Sequence, residues 1–288
     1  MSTPSAMPAP ESPSASRKAA LLTLLGDEDE GVYQAVRERL IAGGPAVVEW
    51  LRPYLLSDDP LLRRRAHDII DHFGRDAADT DFLAFCVRPG ELDLETGVWL
   101  LARTEYPQLN EEAYTAQLDS YAGELRERLD RQAGGEVILA AVQEYVFGAL
   151  GFRGDEEHYY DPQNSYLNRV IDRRRGNPIS LCVLYLLLGR RLRLPLTGIG
   201  LPGHFLCRYQ SAAVEYYIDV FNGGRLWTKA NCLQYLVRNQ YQIRPDLLAP
   251  QTSRGILARM CRNLVNTYES SHRPETARCQ GYLAALGF

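Results

Sequence analysis

Apolar residues recur three and four positions apart along the first half of the chain. They form successive blocks at residues 21–25, 32–40 and 47–56. This spacing places apolar side chains on one face of an α-helix. Gly43-Gly44-Pro45 separates two of these helices, and Ser57-Asp58-Asp59-Pro60 begins the next one with a capping residue before a proline. The pattern continues, so residues from about 18 to 150 are predicted to be helical almost throughout.

The segment from Leu56 to Gly74 resembles a HEAT-type repeat. Its Asp59-Pro60 turn is followed by arginines and by the small residue Ala66, in the places where such repeats turn between helices and pack. A single unit of this kind needs neighbours to bury its apolar face. A HEAT-like region and a plain helical cap on the following domain therefore both remain open.

The pattern changes after Gly151-Phe152-Arg153-Gly154. A polar and aromatic stretch is followed by a helix that begins near Gly176-Asn177-Pro178 and carries an apolar run at 181–188. Two short runs come next, at 203–209 and 214–220, and we predict that they form a hairpin in a small sheet whose strands all follow Leu196. The predicted fold class is α+β, mostly helical.

The two runs bring chemistry-bearing side chains together. A hairpin that turns near Ser211-Ala212 has a symmetric register with three pairs on one face, namely Arg208 with Glu215, Leu206 with Tyr217, and His204 with Asp219. A carboxylate beside an imidazole orients the ring and leaves its other nitrogen to take a proton. The same pair also holds a sheet together in a protein without catalytic activity.

Several motifs stand in the order that is typical of one family. In chain order they are Glu105-Tyr106-Pro107, Gly151-Phe152-Arg153-Gly154, Asp161-Pro162-Gln163-Asn164-Ser165-Tyr166-Leu167-Asn168, Gly176-Asn177-Pro178-Ile179-Ser180-Leu181, Pro202-Gly203-His204-Phe205-Leu206 and Ile218-Asp219-Val220-Phe221-Asn222-Gly223-Gly224. The segment from about Leu92 to Gly224 resembles the transglutaminase-like core family that includes the SirB-type bacterial invasion regulators. This resemblance implies a transglutaminase-like (papain-like) core with a small antiparallel sheet. It also implies a tetratricopeptide-like helix pair after the core, and the helical N-terminal region is an addition.

The resemblance also implies where a nucleophile belongs. In transglutaminase-like proteins a cysteine begins the helix that precedes the His strand, and here that position is Pro178, which suits a first helical turn but has no nucleophilic atom. Cys182 lies four residues later on the same helix face, about 6 Å along the axis at ~1.5 Å per residue. Its apolar neighbours predict burial, which raises a thiol pKa. Ser180 is interpreted as a capping residue.

The candidate site residues fall into two groups. Cys182, His204 and Asp219 are the catalytic set if the chain is an enzyme, and the cleft or structural set is Pro178, Asn164, Asn168, Asn222 and Gly223. Asn164 and Asn168 are predicted either to bond to the loop that carries His204 or to cap and close turns. No cofactor and no metal site is expected, because the cysteines show no paired spacing.

The composition limits location and partners. The chain of 288 residues is 45% apolar and has a net charge of −4, which gives no overall attraction to nucleic acid. Six scattered cysteines in apolar contexts indicate reduced thiols and a cytoplasmic location. The longest apolar run is too short to span a bilayer, so no membrane association is expected.

The expected organisation is a disordered leader at 1–18, a HEAT-like region at 19–90, the core at 91–250 and the helix pair at 251–288.

Three functions follow from these observations. The sequence favours a transglutaminase-like protein without catalytic activity, which acts as a protein-interaction or regulatory module through its cleft or helical surfaces. The alternative is a cysteine hydrolase or an acyl- or amide-transfer enzyme that uses Cys182, His204 and Asp219. The third is a regulator linked to nucleic acid, in which exposed tyrosines stack on bases.

Overall fold

Helices dominate this computed structural model, which describes residues 15–130, 132–244 and 246–288. The twelve α-helices of these residues are α1 (Ala15–Leu25), α2 (Glu30–Ala42), α3 (Ala46–Leu51), α4 (Pro60–Cys86), α5 (Leu94–Arg103), α6 (Glu111–Arg128), α7 (Gly135–Gln143), α8 (Leu167–Arg173), α9 (Pro178–Leu192), α10 (Lys229–Arg238), α11 (Ser253–Ser270) and α12 (Glu275–Ala285). No strand interrupts described residues 15–130 and 132–150. The α+β fold class and the helical first half are therefore confirmed.

The described residues also form six short strands. They are β1 (Arg153–Gly154), β2 (Arg175–Gly176), β3 (Leu196–Leu201), β4 (His204–Gln210), β5 (Glu215–Asp219) and β6 (Arg225–Trp227). Strands β3 to β6 form an antiparallel sheet in sequence order. Strands β1 and β2 form a separate parallel pair, so the prediction that every strand follows Leu196 was wrong. A strand of two residues is too short to show the alternation that marks strands in a sequence.

The chain divides into two compact units. The first contains residues 15–78 and 104–108, and the second contains residues 79–103 together with the described residues from 109 to 288. Helix α4 contributes residues to both units, and the C-terminal helices α11 and α12 belong to the second. The HEAT-like and tetratricopeptide-like descriptions of the two ends stay predictions.

The first unit is built around α4, which begins as its sequence predicts. The Asp59 carboxylate accepts the backbone N–H groups of Leu61 and Leu62 at 2.9 and 3.3 Å, and Pro60 stands at the first helical position. The apolar faces of α1 to α4 meet in a common core: Leu25, Tyr33, Val36, Leu40, Val47, Leu51, Ile69 and Ile70. The predicted periodicity thus identified the buried faces.

The second unit places the four-stranded sheet between α9 and α10. Every residue of α9 from Pro178 to Gly189 is buried, which explains why this helix is apolar on all sides. Cys207 of β4 faces α9, because its sulfur donates to the carbonyl oxygen of Cys182 in that helix. Phe205 lies on the same face, because side chains two residues apart share a face of a strand. The opposite face of the sheet packs with α10 in a second cluster: Ile199, Leu201, Leu206, Tyr217, Cys232, Leu236 and Leu247.

The ends of the chain bear on two expectations. Residues 1–14, which hold most of the predicted leader, lie outside the described residues. Residues 15–18 form the first turn of α1, so this helix begins earlier than the expected boundary at residue 18. None of the helices within the described residues is both long and apolar enough to cross a membrane.

Candidate functional site

The start of α9 is held by a buried polar network. Asn177 caps the helix, because its Oδ1 accepts the N–H of Ser180 at 3.0 Å, and Pro178 is the first helical residue. The Ser180 hydroxyl donates to the carbonyl oxygen of Asn164 at 2.6 Å, and the Asn177 amide donates to the Ser165 hydroxyl at 2.9 Å. The helix start is thereby joined to the 3-10 turn Pro162–Ser165. Pro178 thus occupies the predicted position, and the hydroxyl of Ser180 is engaged in a structural bond.

Asn164 and Asn168 are both buried near this network. The amide of Asn164 donates to the carbonyl oxygen of His158 at 2.7 Å, and its backbone oxygen accepts from Ser180. Within the described residues, no hydrogen bond joins Asn164 or Asn168 to the loop before His204. Asn164 therefore closes a turn, which was the second of the two roles predicted for it.

The hairpin of β4 and β5 has a register different from the predicted one. Cys207 lies opposite Ile218 and Gln210 lies opposite Glu215, so the strands are offset by two residues from the symmetric register. The cause is a four-residue loop, in which Ser211 and Val214 exchange hydrogen bonds. An offset of two residues leaves every side chain on its predicted face. The predicted pairs therefore become diagonal neighbours, and both charged pairs survive.

His204 and Asp219 form the predicted pair at the end of the sheet. The imidazole Nε2 lies 3.0 Å from Asp219 Oδ1, and the Asp219 side chain is 1% exposed. Burial alone raises the pKa of a carboxyl group, but bonds from His204 and Asn222 outweigh burial, so the pKa of Asp219 lies below its ordinary value. The Asn222 amide donates to Asp219 Oδ2 at 2.8 Å. Gly223 has a φ of 68°, a left-handed conformation that the turn after Asp219 requires.

Two aromatic residues that the sequence did not single out surround the imidazole. The rings of Trp227 and Tyr235 each lie 6.0 Å from that of His204. Tyr235 also donates its hydroxyl to the carbonyl oxygen of Pro202 at 3.1 Å, in the turn before His204. Both residues lie beyond the motifs of the core, in β6 and α10, and only the folded chain brings them to the site.

Cys182 lies on the other side of β4 from the His204 ring. Its sulfur donates to the carbonyl oxygen of Phe205 at 3.4 Å, and the Cys207 sulfur donates to the Cys182 carbonyl oxygen at 3.6 Å. Since side chains alternate along a strand, Phe205 and Cys207 face α9 while His204 faces α10. Burial, followed by the neighbouring Cys207 thiol, raises the pKa of Cys182 well above its ordinary value. The predicted burial of Cys182 is confirmed.

An open pocket lies beside the start of α9. Its volume is about 390 Å³, and we call it the α11 pocket because most of its lining comes from that helix. It is lined by Tyr159, Tyr160, Asn177, Gly203, Arg259, Arg262, Asn263, Asn266 and Thr267. The polar residues of α11 recur at helical spacing between buried apolar residues, a signal present in the sequence that the motif analysis did not use.

The His204–Asp219 pair supplies the parts of proton-transfer chemistry. The His204–Asp219 pair leaves Nδ1 as the second ring nitrogen. The structure does not place the Cys182 sulfur on the same face as that ring, and Pro178 offers no substitute. Within the described residues, no group of three or more His, Cys, Asp or Glu side chains could hold a metal ion.

Comparison with known proteins identifies this core. A family profile described as the Transglutaminase-like superfamily matches residues 112–262. A UPF0162 protein of Xylella fastidiosa (strain 9a5c) is 40% identical over 203 residues, which cover 68% of this chain and 72% of that protein. F-box only protein 21 of Mus musculus is 33% identical over 137 residues, which cover 45% of this chain and 21% of that protein. No solved structure matches significantly. The profile covers more than half of the chain, which therefore belongs to the transglutaminase-like superfamily.

Proposed function

We propose that this protein is a transglutaminase-like protein without catalytic activity, which binds another protein through the α11 pocket beside the start of α9. The observation that carries this proposal is that Cys207 of β4 contacts Cys182 of α9, whereas the His204 ring lies beside Tyr235 of α10, so alternation along β4 puts Cys182 and the imidazole on opposite sides of the strand. A thiolate–imidazolium pair needs contact near hydrogen-bond distance. Pro178 adds to the argument, because it stands at the start of α9, where the family resemblance places the nucleophile, and it has no nucleophilic atom.

The His204–Asp219 pair has a structural role in this proposal. It joins β4 to the end of β5, and the turn that follows β5 is fastened to the same carboxylate by Asn222. Removing one partner of a buried ion pair destabilises the fold, because the remaining charged group stays buried without its partner. The pair therefore keeps β4, the end of β5 and the turn that follows β5 in one conformation.

A cysteine hydrolase or acyl-transfer enzyme is the second candidate. The 3.0 Å contact between His204 and Asp219 favours it, because this is the geometry that orients a general base. Catalysis by Cys182 additionally requires the thiol to leave its buried position and to lose its proton. Burial and the nearby Cys207 act against that loss, since both raise the thiol pKa.

Alkylation of the native protein separates the two candidates. The protein is treated with iodoacetamide between about pH 5 and about pH 9, and modification of Cys182 is followed by mass spectrometry. Cys232 is the matched control, because it is also fully buried and burial raises its pKa to about 12. We expect Cys182 to react as slowly as Cys232. Rapid labelling of Cys182 at low pH, lost in His204→Ala, establishes the enzyme instead.

The cytoplasm is the proposed location, and the SirB-type relationship is proposed as the finer family assignment. All six cysteines are buried and none is in a disulfide bond, which supports a reducing compartment. A fluorescent fusion observed in bacterial cells, scored against a periplasmic marker, tests the location. Regulation linked to nucleic acid is the weakest of the three functions, because the chain carries a net negative charge.

A further inference from the structure

The α11 pocket carries positive charge that no acidic side chain of its lining neutralises. Arg259 and Arg262 both line it, and none of its nine lining residues is Asp or Glu. Within the part of the chain that the structure describes, neither guanidinium has a carboxylate partner. Other arginines differ: Arg190 and Arg191 both bind Glu95, at 2.5 and 2.6 Å. The pocket thus presents unused donors for an anion.

Arg259 is fixed in place rather than free to turn away. Its guanidinium donates to the carbonyl oxygens of Leu201 and His204, at 3.1 and 3.5 Å. Burial, followed by the charge of Arg262, lowers the pKa of Arg259 below its ordinary value, so the two like charges disfavour each other. An anion between them relieves this repulsion. Preorganised donors of this kind bind with little loss of side-chain freedom.

The remaining lining suits a peptide better than a small inorganic ion. The side-chain amides of Asn263 and Asn266 make no hydrogen bond within the described residues, and each carries both a donor and an acceptor. Such groups match the N–H and C=O groups of a peptide backbone. Tyr159 and Tyr160 are 40% and 66% exposed, and they offer aromatic surface at the edge of the same pocket.

We infer that the α11 pocket binds an acidic segment of a partner protein, with a carboxylate received by Arg259 and Arg262 and the adjoining backbone by Asn263 and Asn266. This inference rests on the proposed function, because it names the kind of partner that binds in the α11 pocket. A nucleic acid fits less well, since a phosphate backbone calls for a longer track of basic residues than this pocket supplies.

The probe is a fluorescein-labelled hexaglutamate peptide with an amidated C-terminus. Its binding to the whole protein is measured by fluorescence anisotropy. Hexaglutamine is the neutral control, and labelled oligothymidylate and inorganic phosphate represent the other anions. The variant is Arg262→Gln, which removes an exposed guanidinium. Arg238→Gln is the matched control, because it removes the same charge from an exposed position of α10 outside the pocket.

We expect hexaglutamate to bind and hexaglutamine not to bind. Arg262→Gln is expected to weaken binding by about tenfold or more, whereas Arg238→Gln changes it by less than about twofold. Equal losses in the two variants overturn the pocket as the site. Tighter, Arg262-dependent binding of oligothymidylate, or equally tight binding of phosphate, overturns the acidic peptide as the ligand.

The outcome is distinguishable from that of the alkylation experiment. Absence of hexaglutamate binding together with an unreactive Cys182 overturns the ligand class and leaves the non-catalytic module in place. Rapid, His204-dependent alkylation overturns the proposed function whether or not the peptide binds. A peptide that binds while Cys182 stays unreactive supports both.

Discussion

Replacing Asp219 by asparagine tests the pair on which the edge of the cleft depends. The wild-type carboxylate is 1% exposed, lies 3.0 Å from His204 Nε2, and accepts the Asn222 amide at 2.8 Å. Asparagine keeps the shape but loses the charge, and hydrogen bonds to a charged group contribute ~1.5–3 kcal/mol each. One acceptor oxygen survives the change, so we expect Asp219→Asn to lower the free energy of unfolding by about 2 to 3 kcal/mol at pH 7.

The loss should depend on pH. The pKa of Asp219 is lower in the folded protein, so its contribution is present above the unfolded value of ~3.9 and disappears as the pH falls through the folded value. The difference between wild type and Asp219→Asn should therefore shrink between about pH 7 and about pH 3. An uncharged asparagine has no such titration, so the pH dependence belongs to the wild type.

Urea denaturation followed by tryptophan fluorescence measures this difference. A Trp50→Phe background leaves Trp99 and Trp227 as reporters, and both lie in the second compact unit with Asp219. Glu215→Gln is the control, because its ion pair with Arg208 is 3.6 Å long and about a third of the Glu215 side chain is exposed. We expect that control to cost less than about 1 kcal/mol. A difference for Asp219→Asn that is equally large at pH 3 and pH 7 would refute the reasoning.

Three further predictions concern the helix start and local packing. Pro178→Cys places a thiol at the first position of α9, which is also buried, so it should react with iodoacetamide at about pH 7 within about tenfold of the rate of Cys182; a much faster reaction contradicts the burial of the helix start. Gly154→Ala should lower the free energy of unfolding in urea by about 1–3 kcal/mol, because the alanine Cβ would lie 2.6 Å from the Phe221 ring. An unchanged midpoint of urea denaturation argues against that packing. Thr228→Ala should cost about 1 kcal/mol by losing the cap of α10; a loss below about 0.3 kcal/mol contradicts the capping box.

The sequence predicts well what depends on local pattern. Helical spacing identified the buried faces of the first half, and the Asn177-Pro178 pair marked the start of α9. Alternation along β4 and β5 put His204 and Asp219 on one face, although the register was wrong by two residues. The register depends on the length of the loop, which the hydrogen bonds of Ser211 set. These bonds produce no periodic pattern of residues from which the register could be predicted.

The sequence predicts poorly what depends on distant segments meeting. The α11 pocket joins Tyr159 and Gly203 to a helix that begins at Ser253, and no local pattern states that these segments are neighbours. The face that Cys182 takes relative to His204 also depends on distant segments, because the strand between them decides which side of the sheet each side chain occupies. The burial of Cys182, by contrast, was predicted from its apolar neighbours.

The turn between β3 and β4 joins the pocket to the residue that carries the imidazole through hydrogen bonds to its backbone. The Arg259 guanidinium donates hydrogen bonds to the carbonyl oxygens of Leu201 and His204. The Tyr235 hydroxyl donates to the carbonyl oxygen of Pro202. Gly203 has a φ of 73°, a left-handed conformation that would be strained in a residue with a side chain. A guanidinium drawn toward an anion would pull on the backbone of His204 itself. The imidazole resonances of His204 are thus a spectroscopic reporter of what occupies the pocket, read at a residue that need not touch the ligand.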